Sequence, residues 1–175
     1  MRIFTVGHSN RSIEDFVGIL KAHGVERILD VRRYPTSRKW PHFDAGALGK
    51  SLAEAGIGYT GVPELGGRRR PRSDSPHTAW RDAAFRGYAD FMDTPEFASA
   101  FARAAALAAE SPSALMCAEA LPWKCHRSLI ADAFLARGWE VSEILSAREA
   151  RPRRLPQFAR TEGERVIYDV GELFR

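Results

Sequence analysis

Two cysteines, a glutamate, a histidine and an arginine lie within eleven positions of one short stretch, ALMCAEALPWKCHRSL. They are Cys117, Glu119, Cys125, His126 and Arg127. Thiol, imidazole and carboxyl groups attack substrates, transfer protons or bind metal ions, and a guanidinium group binds anions. The stretch begins as an apolar strand, passes through a polar loop and continues as a helix. It is therefore the first place in the chain to look for chemistry.

The order of these elements suggests a role for each side chain. We predict that Cys125, His126 and Arg127 lie in the first turn of the helix, where free N–H groups and the helix dipole favour anions. Arg127 would bind the anion, and Glu119 would act as a general acid or base. Cys117 ends the strand, where a buried cysteine is also commonly an inert apolar residue.

The spacing of these residues argues against the common thiol motifs. Nine residues separate Cys117 from Arg127 and one separates Cys125 from Arg127, so neither pair matches a phosphatase-type or sulfurtransferase-type anion loop. Cys117 and Cys125 also lack the C-x-x-C spacing of a redox pair. A metal site built from Cys117, Cys125, His126 and His8 has suitable donors but matches no common zinc module. It stays a minority alternative, and the cofactor is left open.

Strands alternate with helices along most of the chain. Apolar, β-branched runs predict strands over 2–7, 27–33, 57–62, 114–118 and 139–145. Helical spacing and end signals predict helices over about 12–23, 44–56, 80–92, 94–109 and 125–138. This order predicts a three-layer α/β domain, in which helices cover both faces of a mostly parallel sheet.

Polar residues follow the predicted strands at their carboxyl ends, where open parallel sheets bind ligands. His8 and Asp30 therefore join the four catalytic candidates Glu119, Cys125, His126 and Cys117. The candidates for binding substrate or anion are Arg32, Arg38, Arg127, Ser9, Asn10, Ser37, Gly66 and Gly67. Structural explanations stay open: a capped turn at 8–10, an ion pair between Asp30 and Arg32, and a solvated run of charge after the diglycine.

Composition limits the function classes. The chain has 175 residues, 45% of them hydrophobic, and a formal charge of +4. That size predicts one domain, and the charge favours an anionic partner, a small molecule or nucleic acid. No apolar run approaches the roughly 20 residues of a membrane span, and residues 1–10 lack the apolar core of a signal peptide. We expect a cytoplasmic protein without a membrane partner.

Four motifs in register resemble the DUF488 family of bacterial and archaeal proteins. They are TVGHSN, DVRRYPTSRKWPHF, YTGVPELGG and LMCAEALPWKCHRSLIAD, and the similarity runs from about Arg2 to Leu145. The resemblance implies a small cytosolic α/β domain, to which we assign residues 1–145. The motifs do not cover residues 146–175, which we expect to form an Arg/Pro-rich C-terminal extension that packs on or beside this domain. The resemblance implies no reaction. The matching positions include most of the candidates reached from the strand ends.

These observations favour an enzyme that acts on an anionic substrate, a nucleotide or nucleic acid, in a pocket at the carboxyl ends of the strands. Trp40, Trp123 or Tyr34 would stack on a base. One alternative is a binding module for nucleic acid or a nucleotide without turnover. The other is a protein that binds metal through cysteine and histidine. The sequence leaves the oligomeric state open.

Overall fold

A six-stranded sheet organises the chain in the order β3-β2-β4-β1-β5-β6. The computed structural model describes residues 1–169. The strands are β1 (Arg2–Gly7), β2 (Arg27–Asp30), β3 (Gly58–Gly61), β4 (Ser113–Cys117), β5 (Glu140–Ser146) and β6 (Glu149–Pro152). The first five are parallel and β6 runs antiparallel to β5. The expected three-layer α/β architecture is confirmed.

Within the described residues, five α-helices cover the sheet: α1 (Ile13–Ala22), α2 (Ala45–Glu54), α3 (Ala83–Met92), α4 (Pro95–Glu110) and α5 (Arg127–Ala136). Their starts follow local rules. The Ser12 side chain accepts a hydrogen bond from the Asp15 backbone at the start of α1, and Thr94 caps α4, with Pro95 at its first position. Among residues 1–169, no helix is long and apolar enough to cross a membrane.

The buried side chains form two clusters on opposite faces of the sheet. Leu29, Leu115 and Cys117 pack on the face covered by α3, α4 and α5. Ile28 and Met116, their neighbours along the same strands, pack on the other face with residues of α1 and α2. Because successive strand residues point to opposite faces, both sides of the central strands are apolar.

Several predicted boundaries were wrong by two or three residues, and two of them affect the candidate site. β2 ends at Asp30 and not at residue 33, because the Arg32 backbone N–H donates to Asp30 Oδ1 at 3.1 Å and leaves the strand ladder. Helix α5 begins at Arg127 and not at Cys125. A short 3-10 turn over Pro122–Lys124 precedes it, and Cys125 is extended.

The segment after residue 145 packs on the rest of the chain. β6 extends the sheet, and β7 (Ala159–Glu162) and β8 (Arg165–Tyr168) form a hairpin. Tyr168 is buried and donates to Asp132 Oδ2 of α5 at 2.8 Å. The last residues of the predicted extension, 170–175, lie outside the described residues.

Candidate functional site

Three strand ends meet at one edge of the sheet. In the order β2-β4-β1, Met116 pairs with both Val6 and Asp30, and Cys117 pairs with Gly7. The segments that leave these strands surround a cavity of about 890 Å³. This volume suits a small-molecule ligand or one nucleotide unit. Candidate residues lining it are His8, Ser9, Asn10, Arg32, Ser37, Gly67, Cys117, Glu119, Cys125 and His126.

A buried ion pair supports one wall of the cavity. Arg32 donates from Nε and Nη2 to the carboxylate of Asp30, with Nη2 at 2.6 Å from Oδ2, and Tyr59 donates to the same carboxylate at 2.7 Å. The Arg32 Nη1 group donates to the Phe43 carbonyl at 2.8 Å. Asp30 itself does not line the cavity. The pair is thus engaged in holding β2 to the loop over 34–43.

His8 is buried beside this pair in a defined tautomer. Its Nδ1 lies 2.9 Å from the Ser9 carbonyl, which makes it the protonated nitrogen. Its Nε2 faces Arg32 Nη1 at 3.4 Å and accepts from it. Burial, with the nearby Arg32 charge, lowers the pKa of His8 to about 4, although the Ser9 hydrogen bond opposes this. The ring stacks on Phe43 with centroids 4.1 Å apart.

Both cysteines and one histidine gather on the cavity floor. The candidate ligand atoms of Cys117, Cys125 and His126 all lie within 4.8 Å of one another. Both thiols are free, and Cys125 is 4% exposed. His126 Nε2 donates to the Val31 carbonyl at 3.1 Å, so its Nδ1 lone pair faces Cys125 Sγ at 3.8 Å. His8, the fourth residue of the predicted metal set, lies outside this cluster.

The environment makes the two thiols chemically different. A hydrogen bond from Cys117, together with the charge and N–H groups of Arg127, lowers the pKa of Cys125 to about 7 against the effect of burial. The same hydrogen bond and burial raise the pKa of Cys117. Cys125 is therefore the thiol of this pair that ionises more readily.

Arg127 is placed differently from the anion ligand that its position suggested. Its side chain is fully buried and does not line the cavity. Its Nη1 donates to the Glu119 carbonyl, and its Nη2 donates to the Ala120 carbonyl at 2.9 Å. The guanidinium thus holds the loop between β4 and α5. Glu119 is exposed at the cavity, where one carboxylate oxygen accepts from the Leu121 backbone at 3.2 Å.

Gly67 and two residues with strained backbone line another part of the cavity, and Gly66 packs against Arg33. A Cβ on Gly66 would overlap Arg33, and one on Gly67 would lie 3.0 Å from His126 Nδ1. Among residues 1–169, the non-glycine residues with positive φ are Ser9 and Arg68, and both line the cavity. Strained backbone of this kind concentrates at functional sites.

Cations and aromatic rings surround the mouth. The described lining includes one carboxylate, Glu119, against the side chains of Arg32, Arg33, Lys39, Arg68 and Lys124. Tyr34 is 60% exposed, and the guanidinium carbons of Arg33 and Arg68 lie 5.9 and 5.8 Å from its ring centre. Lys39 lies over the Trp40 ring at 5.4 Å.

Sequence reasoning and structure agree on the cavity but differ on some of its members. Asp30, Arg38, Arg127 and Gly66 do not line it. Arg33, Lys39, Arg68 and Lys124 do line it. The sequence placed Arg33 at the end of the second predicted strand and Arg68 in the Arg-rich run after the diglycine, but it named neither lysine. The sequence feature that could have pointed to Arg33, Lys39 and Lys124 is their position in the motifs DVRRYPTSRKW and LPWKCHR. For Arg68 it is the position directly after the diglycine.

A protein-family model agrees with the motifs that carry this site. The model described as "Domain of unknown function DUF488" matches residues 12–134. The chain belongs to the DUF488 family. No curated protein and no solved structure matches the chain. The DUF488 match includes Asp30, Gly67, Cys117, Cys125 and His126, and it stops short of β5 and the C-terminal hairpin.

Proposed function

We propose that this DUF488 protein is an enzyme acting on an anionic substrate, a phosphorylated nucleoside, either free or within a nucleic-acid strand. The observation that carries the proposal is the arrangement of the cavity. A cationic and aromatic mouth lies above a recessed floor that contains the Cys125 thiol beside the His126 imidazole.

The mouth accounts for the substrate class. Arg33, Arg68, Lys39 and Lys124 are exposed, so their charges are available to phosphate oxygens. The exposed ring of Tyr34 offers a stacking surface for a base, and the two arginines beside it extend that surface by cation–π contact. A base and a phosphate together satisfy both kinds of group.

The floor favours an enzyme over a simple binding module. A phosphate binder has no use for two buried thiols and an oriented imidazole, nor for a carboxylate beside its cations. Such thiols either attack the substrate directly or coordinate a metal ion that activates water. In both cases Glu119 at the mouth is the group placed to exchange protons with solvent.

Nucleotide binding, measured at several salt concentrations, tests whether the cations at the cavity mouth bind phosphate. A labelled single-stranded oligonucleotide and a mononucleotide serve as probes, so that strand and free-nucleotide substrates are distinguished. Arg68→Ala and Lys124→Ala each remove one cation that pairs with a phosphate, so each should make the slope of log K against log salt shallower by about 0.7. Lys21→Ala is the control, because Lys21 lies in the last turn of α1, at the opposite edge of the sheet. If the slope of log K against log salt is the same in all three variants, the cavity mouth is not the phosphate-binding surface.

Analysis of reaction products tests whether the protein converts the nucleotide that it binds. The protein is incubated with the probe that binds, and new species are detected by mass spectrometry. Glu119→Gln should lower turnover by about 100-fold or more while binding is retained, because it removes a proton-transfer group. If wild-type protein binds the probe and no product forms, the protein is the binding module and the enzyme proposal fails.

A further inference from the structure

The geometry of the cavity floor points to a metal site: we propose that Cys117 Sγ, Cys125 Sγ and His126 Nδ1 bind one zinc ion and leave a fourth coordination position open to the cavity. The site depends only on these three side chains. Only its use in the reaction rests on the proposed function.

The distances fit zinc coordination. Zinc binds sulfur at about 2.3 Å and nitrogen at about 2.0 Å, which at a tetrahedral angle separates the two ligand atoms by about 3.5 Å. Cys125 Sγ and His126 Nδ1 are 3.8 Å apart, and all three ligand atoms lie within 4.8 Å of one another. The Cys125–His126 separation is thus about 0.3 Å from the ideal, and the longest separation in the cluster exceeds the zinc geometry by no more than about 1 Å.

The orientation of His126 is that of a metal ligand. Histidine ligands usually donate their second ring nitrogen to a carbonyl or carboxylate, which fixes the tautomer. Here Nε2 donates to the Val31 carbonyl at 3.1 Å, and the sheet anchors that residue, because the Val31 N–H donates to the Met116 carbonyl at 3.0 Å. The Nδ1 lone pair is thereby directed at the sulfurs. Gly67 leaves space beside Nδ1 that a Cβ would crowd.

The second cysteine distinguishes a metal site from a nucleophile. A nucleophilic thiol needs one sulfur and one base, which Cys125 and His126 already provide. Cys117 adds a second sulfur to the same centre, from the end of a different element. Two thiolates and one imidazole with one position open is a known ligand set of catalytic zinc.

The open position faces the substrate cavity. Cys117, Cys125 and His126 all line it, so a fourth ligand would enter from the cavity side. His8, which the sequence offered as a fourth ligand, is already engaged through both ring nitrogens with the Ser9 carbonyl and Arg32. A bound zinc ion could therefore take a water molecule or a substrate oxygen.

Metal titration of the reduced, full-length protein tests the site. Zinc is titrated in competition with a chromophoric chelator, and cobalt is used as a spectroscopic replacement. We expect one zinc per chain, together with an intense thiolate-to-cobalt charge-transfer band. Cys117→Ser, Cys125→Ser and His126→Gln should each weaken zinc binding by about 100-fold or more, beyond the loss typical of removing an outer-shell partner. His8→Gln is the matched control and should keep one zinc at unchanged affinity.

Two further measurements distinguish a loss of zinc binding from a loss of folding. Circular dichroism confirms that each variant folds, and Gly67→Ala, which keeps every ligand but crowds Nδ1, should weaken zinc binding on its own. Absence of stoichiometric zinc binding by the reduced wild-type protein would overturn the proposal. So would zinc binding that survives the ligand variants. Failure of zinc binding with nucleotide binding intact would overturn the metal site alone.

Discussion

Replacement of Arg32 by alanine is expected to lower the free energy of unfolding by about 3–5 kcal/mol. Arg32 is 6% exposed and Asp30 is 1% exposed, and their closest contact is 2.6 Å. Removing the guanidinium leaves a buried carboxylate whose main charged partner is gone, while Tyr59 still donates to it. The Phe43 carbonyl also loses its donor. Urea unfolding followed by circular dichroism measures the change.

An exposed ion pair of the same sheet is the control. Arg2 and Glu140 are 3.1 Å apart with side chains 59% and 72% exposed, so Arg2→Ala should cost less than about 1 kcal/mol. The double variant Asp30→Asn, Arg32→Met should recover part of the loss, because no buried charge remains. A cost for Arg32→Ala similar to that of Arg2→Ala would show that the pair contributes no more than a surface contact.

The side chains near the strand ends were predictable because they depend on local pattern. Apolar runs bounded by polar turns place His8 and Glu119 after two strands and Asp30 in a third, and parallel strands have their carboxyl ends at one edge. In the structure β4 pairs with both β2 and β1, so the carboxyl ends of these three strands lie side by side. The sequence predicted this convergence on the condition that the strands are neighbours, and the strand order that meets the condition comes from the structure.

The direction of individual side chains was not predictable in this way. Arg127 follows Cys125 and His126 along the chain, which suggested one shared anion site. In the structure its guanidinium points into the protein, because two carbonyls of the preceding loop need donors. Arg38 likewise sits in a motif near the cavity but does not line it, whereas its neighbour Lys39 does. Such choices depend on loop conformation, which residue spacing does not determine.

The proposed metal ligands were predictable only in part: the sequence indicated which residues could donate, but not that they meet. Both cysteines and His126 were named as donors from their residue types, but no common zinc spacing joined them. Their meeting depends on the 3-10 turn over Pro122–Lys124, which returns the chain from the end of β4 so that Cys125 comes beside Cys117. A short turn of this kind has no strong sequence pattern, and its effect becomes visible only in three dimensions.

Acid should destabilise this protein through His8. In the folded state the pKa of His8 lies at about 4, because burial disfavours the charged ring, whereas in the unfolded chain it has the ordinary value of 6.5. Between these values the unfolded state binds a proton that the folded state does not. The contribution of His8 to the free energy of unfolding is therefore fully present above pH 6.5, and it is lost as the pH falls towards 4. The His8 contribution to this loss reaches about 3 kcal/mol.

The variant His8→Asn isolates this contribution. Its amide can still donate to the Ser9 carbonyl, as Nδ1 does, but it does not titrate. Urea unfolding at a series of pH values from 7 to 4 should give a shallower decline for His8→Asn than for the wild-type protein. A residual slope is expected, because burial also lowers the pKa of His77.

The core variant Leu52→Ala separates a change in pH dependence from a general loss of stability. Leu52 is fully buried and belongs to the cluster covered by α1 and α2. Its truncation should lower stability by about 2–5 kcal/mol at every pH and keep the wild-type slope. If His8→Asn also keeps the wild-type slope between pH 6.5 and 4, then His8 is not held neutral by the folded state. The tautomer assigned from its contacts with Ser9 and Arg32 would then be wrong.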